Sequence, residues 1–150
     1  MVTVQELKQI FLFKDVPDDV LKLVAEVAEE VTFTPGEPIA AEGEPAKALY
    51  LIRSGTVRGT NVNVKAPMVF GTGESFGQVS ILDGGPIGMT LAAVERVDAI
   101  ALRPAKLAGK LAGNHEAGHV LFRAVARSLA ARMRRLGDAF TLARDRGGAP

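Results

Sequence analysis

The spacing of apolar positions changes rhythm twice along the chain. Between Thr3 and Phe11, the positions Leu7, Ile10 and Phe11 fall on one side of a short predicted helix. Pro17, Asp18 and Asp19 then open a second helix, since proline suits a first helical position and carboxylates suit the positive end of the helix dipole. Val20, Val24, Val27 and Val31 continue at helical spacing, so one face is expected to be buried and the helix to end near Glu30, before Pro35-Gly36 and Pro38. From Val31 to Arg103 short apolar segments alternate with glycine and proline, the texture of an antiparallel barrel or sandwich. Strands are predicted near 31–34, 38–41, 46–53, 56–64, 67–71, 88–95 and 97–102. Ala46 to Ile52 is apolar on both faces, as a strand inside a closed roll would be. Val57 and the pair Val62 and Val64 are out of phase across Gly59, which predicts a bulge or turn there. After Arg103 the helical period returns. Pro104 to Ala112 forms a short helix, and a long one follows over about 117–145 with the apolar stripe Phe122, Val125, Leu129, Met133, Leu136 and Phe140.

The expected fold is mainly β with flanking helices: an antiparallel, jelly-roll-like β-roll of about eight strands over 31–103. Helices over 3–30 precede it and helices over 104–145 follow it. One domain spans 1–146, and a frayed tail covers 147–150, with loosening expected from Arg144.

Composition narrows the function classes. There is no cysteine among the 150 residues, which removes disulfides, thiolate metal sites and cysteine nucleophiles. No apolar run approaches the roughly 20 residues that cross a bilayer, and Met1 to Lys14 lacks a signal pattern, so a cytoplasmic protein is expected. The net charge of +1 conceals an asymmetry. Residues 1–45 carry three basic and ten acidic side chains, whereas 120–150 carry seven arginines and two aspartates. Either the two ends attract each other, within a chain or between chains, or the charges coat solvated helix faces. Arg123, Arg127 and Arg134 form a basic stripe beside the apolar one.

Gly36, Gly43 and Gly55 sit where turns call for positive φ or tight backbone. Gly77 opens a predicted short helix over 77–82, whose free N–H groups suit an anion. Phe13-Lys14-Asp15-Val16-Pro17, Pro35-Gly36-Glu37, Glu42-Gly43-Glu44, the hairpin from Ala48 through Ser54-Gly55 to Val57, and Gly73-Glu74-Ser75-Phe76-Gly77-Gln78 occur in this order. In sequence and spacing they resemble the cyclic-nucleotide-binding domain of the catabolite activator and protein kinase A regulatory subunit type, over about residues 11–140. The resemblance implies a β-roll, a cyclic nucleotide as ligand, and a phosphate-binding cassette here formed by Phe76, Gly77, Gln78, Val79, Ser80, Pro86, Ile87, Gly88, Met89 and Thr90.

Three cassette positions depart from the pattern of ligand-binding members. Gln78 stands where the family has a glutamate that accepts a bond from the ribose hydroxyl, and its amide oxygen still accepts one. Ile87 stands where an arginine pairs with the phosphate, and isoleucine donates nothing. A charge-assisted contact is worth roughly 1.5–3 kcal/mol, about tenfold to over a hundredfold in affinity. Met89 replaces alanine and adds bulk. Ile87, Met89 and Leu91 point the same way along a strand, so apolar side chains are expected near the phosphate position. Arg53, Arg58 or an arginine of the last helix are the candidates for compensation.

His115-Glu116-Ala117-Gly118-His119 matches the zincin HExxH pattern. The chain has only these two histidines, Asp138 is the only acid between His119 and residue 144, and Gly118 weakens the helix, so no metal site is expected. Three functions follow in order. The first is a regulatory or adaptor module with weak or absent cyclic AMP binding. It would act on a signalling partner or on its own copy, as a homodimer through the last helix, where alanines at 124, 126, 130, 131 and 139 permit close approach. The second is a genuine cyclic-nucleotide or cyclic-dinucleotide sensor, and the third a small zinc hydrolase. No enzyme activity, no cofactor and no direct DNA contact are expected, because no helix-turn-helix follows the closing helix in these 150 residues.

Overall fold

A computed structural model describes residues 1–146, apart from the side chains of residues 64, 65, 139, 140 and 143. Helix α1 (Val4–Lys8) starts at a reciprocal cap: Thr3 Oγ1 accepts from the Glu6 N–H at 3.2 Å, and Glu6 Oε2 accepts from the Thr3 N–H at 2.7 Å. Leu7 and Ile10 are buried as expected, but Phe11 is 69% exposed. A 3₁₀ turn over Phe11–Phe13 changes the helical phase, so Leu12 and Phe13 turn inward instead. Helix α2 (Asp18–Val27) carries Asp18 and Asp19 in its first turn and buries Val20, Leu21 and Val24. It stops at Val27, short of Glu30, because Glu29–Phe33 is already strand β1, paired antiparallel with β8 (Val97–Leu102). Val31 is therefore a strand residue and not the end of a helical face.

The remaining strands are β2 (Pro38–Ala40), β3 (Leu49–Ser54), β4 (Val57–Asn61), β5 (Val64–Phe70), β6 (Ser75–Phe76) and β7 (Thr90–Ala93), which makes eight. They form two antiparallel four-stranded sheets, ordered β1-β8-β3-β6 and β2-β7-β4-β5. The expected irregularity near Gly59 is present as a register shift between Gly59 and Asn61 in the β4–β5 pair. Gly55 turns β3 into β4 at φ +102°, and a Cβ there would sit 2.4 Å from the Arg96 carbonyl oxygen, so no other residue fits.

Between β6 and β7 lies helix α3 (Gln78–Asp83). Helices α4 (Pro104–Leu111) and α5 (His115–Asp145) close the chain. Asn114 caps α5 by accepting from the Ala117 N–H at 3.1 Å. The helix runs on through Arg144 and Asp145, where the sequence suggests loosening; the expected frayed tail, 147–150, lies outside the described residues.

Two apolar cores share one wall. Leu49, Leu51, Ile100 and Leu102 point from β3 and β8 toward the helices, where they meet Leu7, Phe13, Leu21, Leu107, Leu121 and Val125. Tyr50, Ile52, Val97, Ala99 and Ala101, alternating with them, point into the roll and meet Val57, Phe70, Phe76, Leu91 and Ala93. This alternation explains why the third strand reads apolar on both faces.

Candidate functional site

Phe76 and Gly77 place the start of the cassette against the inner wall. Phe76 stacks on Tyr50 at 5.2 Å between ring centroids. Gly77 has φ +94°, and a Cβ on it would lie 2.5 Å from the Ala48 carbonyl oxygen, so only glycine brings α3 this close to β3. Val79 is exposed, while Ser80 is buried and works as a tie. Ser80 Oγ accepts from the Ala46 N–H at 2.9 Å and donates to the Gly85 carbonyl at 2.8 Å. Ser80 thereby holds α3 and Gly85 beside Ala46, three residues ahead of β3.

Gln78 is 1% exposed. Its Nε2 donates to Ser75 Oγ at 2.6 Å, and its Oε1 is the one buried side-chain polar atom without a hydrogen-bond partner among the described residues. An unpaired buried carbonyl costs free energy unless something donates to it. A ligand hydroxyl is a donor of the right kind.

The second half of the cassette is apolar where it faces inward. Ile87 is buried and joins the inner core, Met89 packs partly buried against the same core, and Leu91 is fully buried. Their shared direction is as the alternation predicts. The Ile87 backbone is doubly held: its N–H donates to the Glu44 carbonyl at 2.8 Å, and its carbonyl accepts from the Gly43 N–H at 3.0 Å. Pro86, Gly88 and Thr90 are exposed; Thr90 Oγ1 accepts from the Glu42 N–H at 3.1 Å. The turn at Glu42-Gly43-Glu44 and the cassette thus form one hydrogen-bonded unit.

Of the arginines that are candidates to compensate for Ile87, two are turned elsewhere. Arg53 bridges Glu6 and Glu30 at 2.8 and 2.7 Å. Arg58 stands exposed on β4, beside the inward-facing Val57. Arg132 of α5 does reach the cassette. Its guanidinium donates to the Ser75 carbonyl at 2.6 Å and lies 5.1 Å from the Phe70 ring centroid. Burial lowers its pKa from the usual guanidinium range; Arg135 nearby adds to this, and Glu74 opposes it. No periodicity in the sequence signals this contact between positions 57 residues apart.

The apolar stripe of α5 divides. Val125 is buried and Leu129 partly buried against the helical core, where Ala117 and Leu121 join them. Phe122, Met133 and Leu136 are 46%, 75% and 53% exposed, so the rest of the chain covers this strip only in part. The side chain of Phe140 lies outside the described residues. His115 and His119 are exposed, one turn apart on α5, and no group of three or more His, Cys, Asp or Glu side chains gathers among the described residues. A zinc hydrolase is not favoured. Among the described residues no helix is long and apolar enough to cross a membrane.

Among the described residues no acid of the N-terminal region forms a salt bridge with an arginine of α5. Glu29 pairs with Arg103 and Lys106, Glu26 with Lys110, and Asp18 with Lys8.

Comparison with known proteins agrees with this architecture. The family model for the cyclic nucleotide-binding domain matches residues 30–114, more than half of the chain. A CRP-like cAMP-activated global transcriptional regulator of Mycobacterium tuberculosis is 28% identical over 134 residues, which cover 85% of this chain and 58% of that protein. The cyclic AMP receptor protein of Thermus thermophilus is 30% identical over 95 residues, covering 61% of this chain and 44% of that one. The chain therefore spans about half the length of these two proteins. A crystal structure of a putative cyclic nucleotide-binding protein from Geobacter metallireducens superposes with a TM-score of 0.75 at 25% identity, covering 89% of this chain and 99% of that one. One of these relatives is named as a transcriptional regulator, so the expectation of no direct DNA contact gains no support.

Proposed function

The chain belongs to the cyclic nucleotide-binding domain family, and from that premise we propose that it is a cytoplasmic regulatory module acting through protein contact or self-association, with ordinary cyclic AMP binding weak or absent. The observation that carries this reading is that Ile87 is buried in the inner core of the roll and Met89 packs, partly buried, against it. In ligand-binding members of the family, the position matched by Ile87 provides the cation for the cyclic phosphate. An apolar surface there gives the phosphate no counter-charge, and a desolvated anion without a partner is costly. The exposed side chains Phe122, Met133 and Leu136 on α5 support self-association, because an apolar strip of this kind is covered most simply by a second copy.

Calorimetric titration of the purified protein with cyclic AMP tests the reading. No saturable binding is expected in the low-micromolar range. Binding at low-micromolar affinity or tighter would refute it.

A second reading rests on Gln78. Its buried, unpaired Oε1 is suited to a ligand hydroxyl, as a sensor would need. Parallel titrations with cyclic GMP and a cyclic dinucleotide address it: saturable binding that disappears in Gln78→Leu would favour the sensor.

A further inference from the structure

On the outer side of the roll, a cavity of about 500 Å³ lies between α5, the Phe11–Pro17 segment and the turn Gly73–Ser75. Five cationic side chains line it: Lys14, Arg123, Arg127, Arg132 and Arg135. The only acids on its wall are Asp15 and Glu74, and neither forms a salt bridge with any of these five among the described residues. Glu74 is instead engaged with backbone, accepting from the Gly71 N–H at 2.9 Å. Elsewhere in the molecule the arrangement is the reverse, with acids such as Glu29 and Glu30 each held by basic partners. The cavity thus sets five cations against two acids, an excess of positive charge that no salt bridge among the described residues pairs, beside the apolar surfaces of Val16, Pro17 and Val120. Concave sites with converging cations and apolar walls suit phosphorylated small molecules, and this volume lies within the range of such sites.

We propose that this groove is a binding site for a phosphorylated small molecule of up to nucleotide size, separate from the interior of the roll. Arg123 and Arg127 lie one turn apart on α5 and present two guanidinium groups to the phosphate. Arg132 connects the site to the cassette, since the guanidinium that lines the groove also holds the Ser75 carbonyl, and Ser75 Oγ accepts from Gln78. An anion that draws Arg132 toward the groove loosens its hold on β6 at the point where the cassette begins.

The test is calorimetric titration of the full chain with inorganic pyrophosphate and, separately, with ATP, at about 0.15 M salt so that loose attraction between exposed charges is screened. Saturable binding of either probe is expected. It should weaken about a hundredfold in Arg123→Ala/Arg127→Ala, because that variant removes two charge-assisted hydrogen-bond donors at once. It should hold within about twofold in Arg144→Ala/Arg146→Ala, which removes the same charge at the far end of the same helix, away from the groove. Circular dichroism of both double variants verifies that each is folded. Absence of saturable binding by both probes, or equal weakening in the two double variants, overturns the site. The link through Arg132 is read from the Phe76 backbone amide and the Gln78 side-chain amide by NMR. Both signals should shift on titration, and binding that leaves them in place overturns the link.

Discussion

Gln78 and Ile87 bring opposite chemistries to the two halves of the cassette. Gln78 keeps a hydrogen-bond acceptor and leaves it unpaired, while Ile87 brings only hydrocarbon, with its backbone tied to Gly43 and Glu44. Replacing Gln78 by Glu and Ile87 by Arg reverses both. The double variant should bind cyclic AMP at least tenfold more tightly than the parent by calorimetry. Without ligand it should also be ~2–4 kcal/mol less stable in chemical denaturation, since two charges then sit where solvent is excluded. No gain in affinity would mean that Met89 and its neighbours already fill the space. At this scale the sequence is informative about direction but not about pairing. Strand alternation sends Ile87, Met89 and Leu91 inward, as found. The tie from Ser80 to Ala46 and the contact from Arg132 to Ser75 join residues 34 and 57 positions apart and leave no local trace.

Among the elements, β1 shows how tertiary pairing overrides local rhythm. Val20, Val24, Val27 and Val31 are spaced as a helix, yet the helix ends at Val27 because Glu29 to Phe33 finds β8 as a partner. Glu29 then fastens this strand to α4 through Arg103 at 2.6 Å and Lys106 at 2.9 Å. The hydrogen bond from Lys106 first, and that from Arg103 second, hold its carboxyl below the ordinary value of 4.5. A carboxylate lowered on folding stabilises above its unfolded pKa, and that stability is lost as pH falls through the folded value. The thermal midpoint should therefore be flat between about pH 6 and 8 and decline below about 4.5. Glu29→Gln should lower the midpoint at pH 7 and make the acid-side decline shallower, measured by circular dichroism melts. Most other elements are legible from turn glycines and alternation, including the break near Gly59. Strand β6 is not, because two residues, Ser75 and Phe76, are too few to show a period. Phe11 escapes a helical reading because a 3₁₀ turn shifts the phase that such a reading assumes.

For the whole molecule, α5 has three sides with different duties. One packs on the helical core through Ala117, Leu121 and Val125, one presents Phe122, Met133 and Leu136, and one lines the cationic groove with Arg123 and Arg127. Self-association through the second side predicts a dimer in sedimentation at micromolar concentration. Met133→Asp/Leu136→Asp should convert it to a monomer with nearly unchanged secondary structure, since both side chains are already solvent-facing in the single chain. A monomeric parent protein would overturn self-association through this strip.

The partition formed by β3 and β8 is one layer of backbone with a lining on each side, and both compartments share it. Leu51 cannot move toward the helices without carrying Tyr50 and Ile52 away from the roll. Whatever swells or empties one chamber is therefore felt as a displacement in the other, much as a single drumskin moves the air on both of its sides.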